Sequence, residues 1–260
     1  MNRPLKKFLY GVFYLALFAL IIFGVYRGFS KGTPNCFDQK RNQDEIGVDC
    51  GGSCGINCEI LNLEPIQAIG LVKIFGLDSG QVAFLAEIKN PNSGYAAEFL
   101  YNFFVYDRSG NLLETISGSE SVHASERKFI YTANASQPFQ NIGKVDLRVS
   151  EPRWVSAKDY LKPDLALPQN FLTEIDNGKI KVSGSVRNQG PVKARSVKII
   201  AVIFDKFGLD IFASQTVIST LDGFDEKSFL IYFPPNRFLF ENFDPQATKI
   251  FINAGDFKFF

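Results

Sequence analysis

The chain has 260 residues, 46% hydrophobic and 21% charged, with 27 Phe against one Met and one Trp. That is room for two domains, and the aromatic excess favours strands over helices. Five of the 28 basic residues fall within residues 1–31, which hold no acid, so the remainder carries 23 basic against 27 acidic side chains. A mildly acidic body with no basic cluster argues against nucleic-acid binding, because phosphate neutralisation needs concentrated Lys and Arg.

Residues 1–7 are a short basic segment, expected in the cytoplasm. The run FLYGVFYLALFALIIFGVY (8–26) follows, with neither charge nor proline. As a helix it would span roughly 28 Å, about the thickness of a bilayer's hydrocarbon core. Tyr10, Tyr14 and Tyr26 place rings near both ends, where interfacial aromatics belong. A cleaved signal peptide has a shorter apolar stretch and ends in small residues, which Gly28-Phe29-Ser30 matches poorly. The prediction is an uncleaved signal anchor with the lipid bilayer as its partner. Basic residues flank both ends, so charge alone orients it only weakly.

The neck, residues 27–59, holds all four cysteines of the chain: Cys36, Cys50, Cys54 and Cys58. Four thiolates could hold Zn²⁺, but zinc modules pair their ligands closely and Cys36 has no near partner. A segment this poor in apolar residues needs staples, and two disulfides supply them. The disulfide reading is preferred. It requires an oxidising compartment, so residues 27–260 are expected outside the cytoplasm and the protein in the cell membrane as a single-pass chain. Three connectivities stay open.

Between these cysteines, CFDQKRNQDEIGVDCGGSC resembles a short module of bacterial envelope and secreted proteins, near C-x-D-G-x-x-N-x-x-E-x-G-x-D-C-G-G-x-C. The match runs through Cys36, Asp38, Asn42, Glu45, Gly47, Asp49, Cys50, Gly51, Gly52 and Cys54, and departs at Gln39, where the pattern has Gly. Asp38, Asn42, Asp44, Glu45 and Asp49 are oxygen donors at spacings used by hard-cation loops, so Ca²⁺ is one reading. The other is that Asp and Asn cap turns in a loop-rich knot. The missing Gly at 39 weighs against Ca²⁺, since a tight ligand loop needs positive φ.

Two β-domains are expected next, at 60–155 and 156–260. The chain repeats with an offset of 98 residues. Asp78-Ser79-Gly80 answers Asp176-Asn177-Gly178, VAFLAEIKN (82–90) answers IKVSGSVRN (180–188), and VYDRSG (105–110) answers IFDKFG (203–208). Beyond these, two inserted residues bring Glu126 and Phe129 onto Glu226 and Phe229. The period suits one β-sandwich. Alternation of Val182, Gly184 and Val186 with Ser183, Ser185 and Arg187 is the period of a half-buried strand. The prolines of residues 150–168 mark a linker, and Trp154 is expected at the junction.

At FFVYD (103–107) each unit resembles the FxLYD family of immunoglobulin-like domains, with a G-x-V-x-N strand followed by F-x-L-Y-D-x-x-G. The second unit supplies Gly184, Val186, Asn188, Ile203, Phe204, Asp205 and Gly208, with Ala201 where the pattern has Phe. The first supplies Ile88, Asn90, Phe103, Tyr106, Asp107 and Gly110, and departs at Ala86, where the pattern has Gly. The resemblance implies a fold and no catalytic residues. The fold class expected is therefore all-β: two tandem antiparallel sandwiches after one transmembrane helix and a disulfide-stapled segment.

No enzyme motif is found: no phosphate loop, no His-Glu-x-x-His, and one histidine, His123, in the polar stretch GSESVHASERK, read as a solvated loop. The outward positions of the first unit are greasier than those of the second, so Leu85, Leu100, Phe104 and Tyr106 are expected to contact an envelope protein partner. A competing expectation is that the second domain covers that face. The function expected is non-enzymatic interaction or scaffolding in the cell envelope. The alternative is a ligand- or ion-binding accessory or sensor subunit.

Overall fold

The computed structural model of the chain describes residues 3–29, 36–42, 44–77, 80–167 and 171–254. It divides into two compact units, Met1–Leu63 and Glu64–Phe260. In the first, helix α1 (Arg3–Phe29) contains the apolar run. Between Phe8 and Tyr26 its large apolar side chains point outward all round, and it is long and apolar enough to cross a membrane. The neck then folds as turns, ending in the one-turn helix α2 (Cys58–Leu61), where the Asn57 side chain accepts from the Glu59 N–H as a cap.

The second unit is built from two antiparallel β-sandwiches. The first holds β1 (Gln67–Gly76), β2 (Val82–Lys89), β3 (Tyr95–Tyr106), β4 (Leu112–Val122), β5 (Arg127–Thr132) and β6 (Lys144–Ser156). Its sheets run β1-β2-β5 and β4-β3-β6. The second holds β7 (Leu165–Ala166), β8 (Leu172–Asp176), β9 (Lys179–Asn188), β10 (Ala194–Asp205), β11 (Asp210–Leu221), β12 (Glu226–Tyr232) and β13 (Phe243–Asn253). There β12-β9 is completed by β7 and β8, opposite β11-β10-β13. A short helix, α3 (Arg237–Asn242), leads into β13.

Local chemistry explains the turns. Asn177 and Gly178 both have positive φ, 49° and 74°, as a two-residue hairpin between β8 and β9 requires. The Asp78-Ser79 counterpart lies outside the described residues. Asp107 ends β3 by accepting from the N–H groups of Ser109 and Asn111; Asp205 ends β10 by accepting from Phe207 and Leu209. Asn90 and Asn188 are both fully buried. Asn90 donates to the carbonyls of Tyr95 and His123, and Asn188 to those of Val192, Leu221 and Asp222. Each side chain thus satisfies loop carbonyls that burial would otherwise leave unpaired.

Two sequence expectations are corrected here. The insertion between the units is one residue, not two. Lys89 pairs with Arg127 while its counterpart Arg187 pairs with Glu226, so Glu226 stands where Arg127 does and Glu126 answers Asp225. The segment 150–156 is strand, not linker. Pro152 lacks a ladder donor, and the β3–β6 register shifts between Glu98 and Leu100 to accommodate it. Trp154, on that strand, packs against the first sandwich's core rather than at a junction.

The sandwiches stack face to face. The outer side of β1-β2-β5 lies on the outer side of β11-β10-β13, so Phe75, Leu77, Ala83 and Leu85 belong to the same buried cluster as Ile200, Val202 and Phe212. Phe129 and Phe251 stack across this boundary with centroids 4.3 Å apart. The Asn253 side chain pairs with β5 as a strand residue would, donating to Phe129 O at 2.6 Å and accepting from its N–H at 3.4 Å. Tyr131 donates to the Ala213 carbonyl, and burial pushes its hydroxyl up to about 12.

Candidate functional site

Two disulfides close the neck: Cys36 with Cys54 and Cys50 with Cys58. Gly47 lies against the second, where a Cβ would sit 2.7 Å from the Cys50 sulfur. The acidic residues between the cysteines are turned onto backbone donors. Asp49 accepts from the N–H groups of Asp38 and Gln39, Asp38 from Lys40 N–H and the Asn42 amide, and Glu45 from Asn42 N–H. Asp44 stands apart and accepts from the N–H and hydroxyl of Ser53, which hold its carboxyl below the usual range.

So of the five oxygen donors considered for Ca²⁺, the fold gathers Asp38, Asn42, Glu45 and Asp49 and sends Asp44 elsewhere. The gathered carboxylates face N–H groups, a turn-capping arrangement that a cation would have to displace. Glu45 also lies 3.2 Å from the Cys54 sulfur. That sulfur is oxidised, carries no proton, and cannot serve as a thiolate ligand. Gln39 has φ +58°, a conformation that glycine adopts freely. A glutamine held there costs roughly 1 kcal/mol relative to glycine.

The proposed partner patch is not one surface. Leu85 is 2% exposed, sealed under the second sandwich. Leu100, Phe104 and Tyr106 lie on the other sheet of the first sandwich, facing away from its core. Leu100 is 47% exposed, but Arg148 covers the Phe104 ring at 4.9 Å. Their neighbours on β4 are Ser119, Thr115 and, opposite Tyr106, Leu112. The alternation along β2 was read correctly; what covers its outer face is a neighbouring domain, which no local pattern encodes.

Sequence reasoning also missed a buried ionic cluster. Lys128, 2% exposed, donates to Glu120 at 2.8 Å and to the Ser121 carbonyl at 2.7 Å, and reaches the Ala254 carbonyl at 3.4 Å. Lys198, from the second sandwich, bonds the other oxygen of Glu120. Burial pushes the Glu120 carboxyl up, but the two ammonium groups outweigh it and hold the group below its ordinary value. One carboxylate is therefore shared between the sandwiches.

His123 is not a solvated loop residue. It is 4% exposed, packed edge-on against Tyr160 at 5.3 Å. Its backbone N–H donates to Glu126, which Lys162 also engages at 2.8 Å. Burial pulls its imidazole down to about 4, against the opposing charge of Glu126. A neutral imidazole held by the linker is a packing element. Where the two sandwiches meet, a groove of about 490 Å³ is lined by Gln81, Tyr131, Lys179, Phe212, Tyr232 and Pro234 among others.

No protein-family model matches the sequence, and no curated protein matches it. Among solved structures the chain is similar to red sea bream transglutaminase, with 12% identity and a TM-score of 0.20. The alignment covers 73% of this chain and 32% of that one, about a third of that protein's length. A likeness so distant carries no argument about fold or activity.

Proposed function

We propose that the chain is a single-pass membrane protein with a cytoplasmic N-terminus, whose two sandwiches act outside the cytoplasm as a non-enzymatic interaction or scaffolding module for an envelope protein. The observation that carries this reading is the pair of disulfides within residues 36–58, directly after an apolar helix of 27 residues. Disulfides persist in oxidising compartments, which supports a location of the neck and sandwiches outside the cytoplasm. Both sandwiches are read as FxLYD-like copies of one ancestral unit. Their matching strand order, the paired Asn90 and Asn188, and the paired Asp107 and Asp205 support this. The test is alkylation of intact cells. Cysteines that stay unmodified until a reductant is added agree with the proposal; four freely reactive thiols overturn it.

A second reading, a ligand-binding accessory subunit, rests on the groove between the sandwiches. Ligand-dependent protection of the Tyr232–Pro235 segment from hydrogen exchange would favour it over scaffolding.

A further inference from the structure

The neck partitions its side chains in reverse. Glu45 is 6% exposed, and the carboxylates of Asp38 and Asp49 turn inward onto N–H groups. Phe37, Ile46 and Val48 are 82%, 70% and 49% exposed. Gly47, between the last two, faces the Cys50–Cys58 disulfide, and its apolar neighbours Ile46 and Val48 are turned to solvent. The exposed charges among the described residues of the module are balanced, Lys40 and Arg41 against Asp44 and Glu59, with Lys40 and Arg41 following Phe37 closely in the chain.

A folded module that buries one acid, Glu45, and leaves Phe37, Ile46 and Val48 in solvent suits a boundary with something less polar than water. Chain length names that boundary. Only residues 30–35 separate Phe29, the last residue of α1, from Cys36. Six residues reach at most about 20 Å, so a neck attached to a membrane-spanning helix is held within that distance of the lipid surface. We infer that the neck beds into the lipid surface, with Phe37, Ile46 and Val48 among the upper acyl chains and Lys40 and Arg41 reaching lipid phosphates. This is how interfacial segments bind, by apolar insertion with basic residues at the rim. The disulfides make the segment a rigid plate on the bilayer rather than a flexible tether.

This inference rests on the membrane-anchor reading, and its test separates the two. The full chain, with Trp154→Phe as background, is reconstituted in phosphatidylcholine vesicles whose acyl chains carry bromine at shallow or deep positions. Three variants each carry one indole: Phe18→Trp in α1, and Phe37→Trp and Val48→Trp in the neck. Intact disulfides are checked by thiol titration. The expected result is loss of emission from the neck indoles with shallow bromines, a blue shift, and protection from aqueous iodide. The Phe18→Trp indole should be quenched by deep bromines. If both neck indoles are quenched by iodide and untouched by bromolipid while Phe18→Trp responds, the inference is overturned and the anchor stands. If Phe18→Trp is also untouched, the anchor reading falls and this inference with it.

Discussion

On β2 the outward residues are Ala83, Leu85, Glu87 and Lys89; on β9, at the same places, they are Lys181, Ser183, Ser185 and Arg187. The pattern reverses on the other sheet. There β10 turns Lys198, Ile200, Val202 and Phe204 outward, and β3 has Leu100, Asn102, Phe104 and Tyr106. Each sandwich therefore has one apolar outer face that its counterpart lacks, apart from scattered aromatics, and those two faces are pressed together. The comparison teaches that strand alternation tells inside from outside of one sandwich and says nothing about whether the outside is wet. The ionic cluster follows the same logic. Lys128 and Lys227 both cross a sandwich edge to a carbonyl, of Ser121 and Thr220 respectively. Glu120, however, occupies the place of Ile218, and Lys198 that of Leu100. The acid and its second cation exist only where the sandwiches meet.

The largest expected effect comes from breaking that asymmetry. Glu120→Ala leaves two ammonium groups at a buried boundary and should cost about 3–5 kcal/mol in urea unfolding. Giving the cluster the residues of the opposite sandwich, Glu120→Ile with Lys198→Leu, and adding Lys128→Met, should recover most of the loss. Failure to recover would mean that the cluster, rather than apolar contact, holds the sandwiches together.

His123 stands where Leu221 does, each offering its carbonyl to the buried asparagine of its own sandwich. Its folded pKa of about 4 lies below the ordinary 6.5, so between these values the unfolded chain binds more protons. Stability should be complete above pH 6.5 and decline by up to about 3 kcal/mol as pH falls to 4. Substituting His123→Leu should abolish that part of the decline, read from urea midpoints at pH 7 and pH 4.5.

Asn90→Ala and Asn188→Ala remove equivalent donors. Each should cost about 1–3 kcal/mol, with similar magnitudes in calorimetry. Clearly unequal losses would show that the two loops are not equivalent. The smallest effect on stability, within about 0.5 kcal/mol, is expected from Lys181→Ala with Ser183→Leu, which gives the exposed face of β9 the residues of β2. Its consequence should instead be self-association in sedimentation experiments, because the new face copies one already shaped for a sheet partner.

These cases also mark how far the sequence was legible. The apolar helix, the neck with its paired cysteines, the strands and most turns follow from spacing and turn chemistry. So does the offset of 98 residues up to His123. Beyond it, HASE against LDGFD admits more than one alignment, and only the strand register fixes a single insertion. His123 reads as solvated because its neighbours in sequence are polar; its burial comes from Tyr160, 37 residues away. Glu120 and Lys128 sit at core-facing positions opposite Phe99 and Ile88, and no local pattern tells that they pair with each other and with Lys198 of the second sandwich. The neck carboxylates had two readings because capping a turn and binding a cation use the same residue types at the same spacing.

The contact of Asn253 with Phe129 has a bearing on biosynthesis. The edge of β5 is completed by a side chain made 124 residues later. Until β13 is made, Phe129 lacks its partner Phe251 and the β5 edge stays open. Such surfaces invite aggregation while they wait. A chain stalled or truncated before β13 should therefore depend on holdase chaperones or be degraded, whereas the finished chain should need neither, and pulse-labelled lengths ending before and after residue 243 would reveal the step.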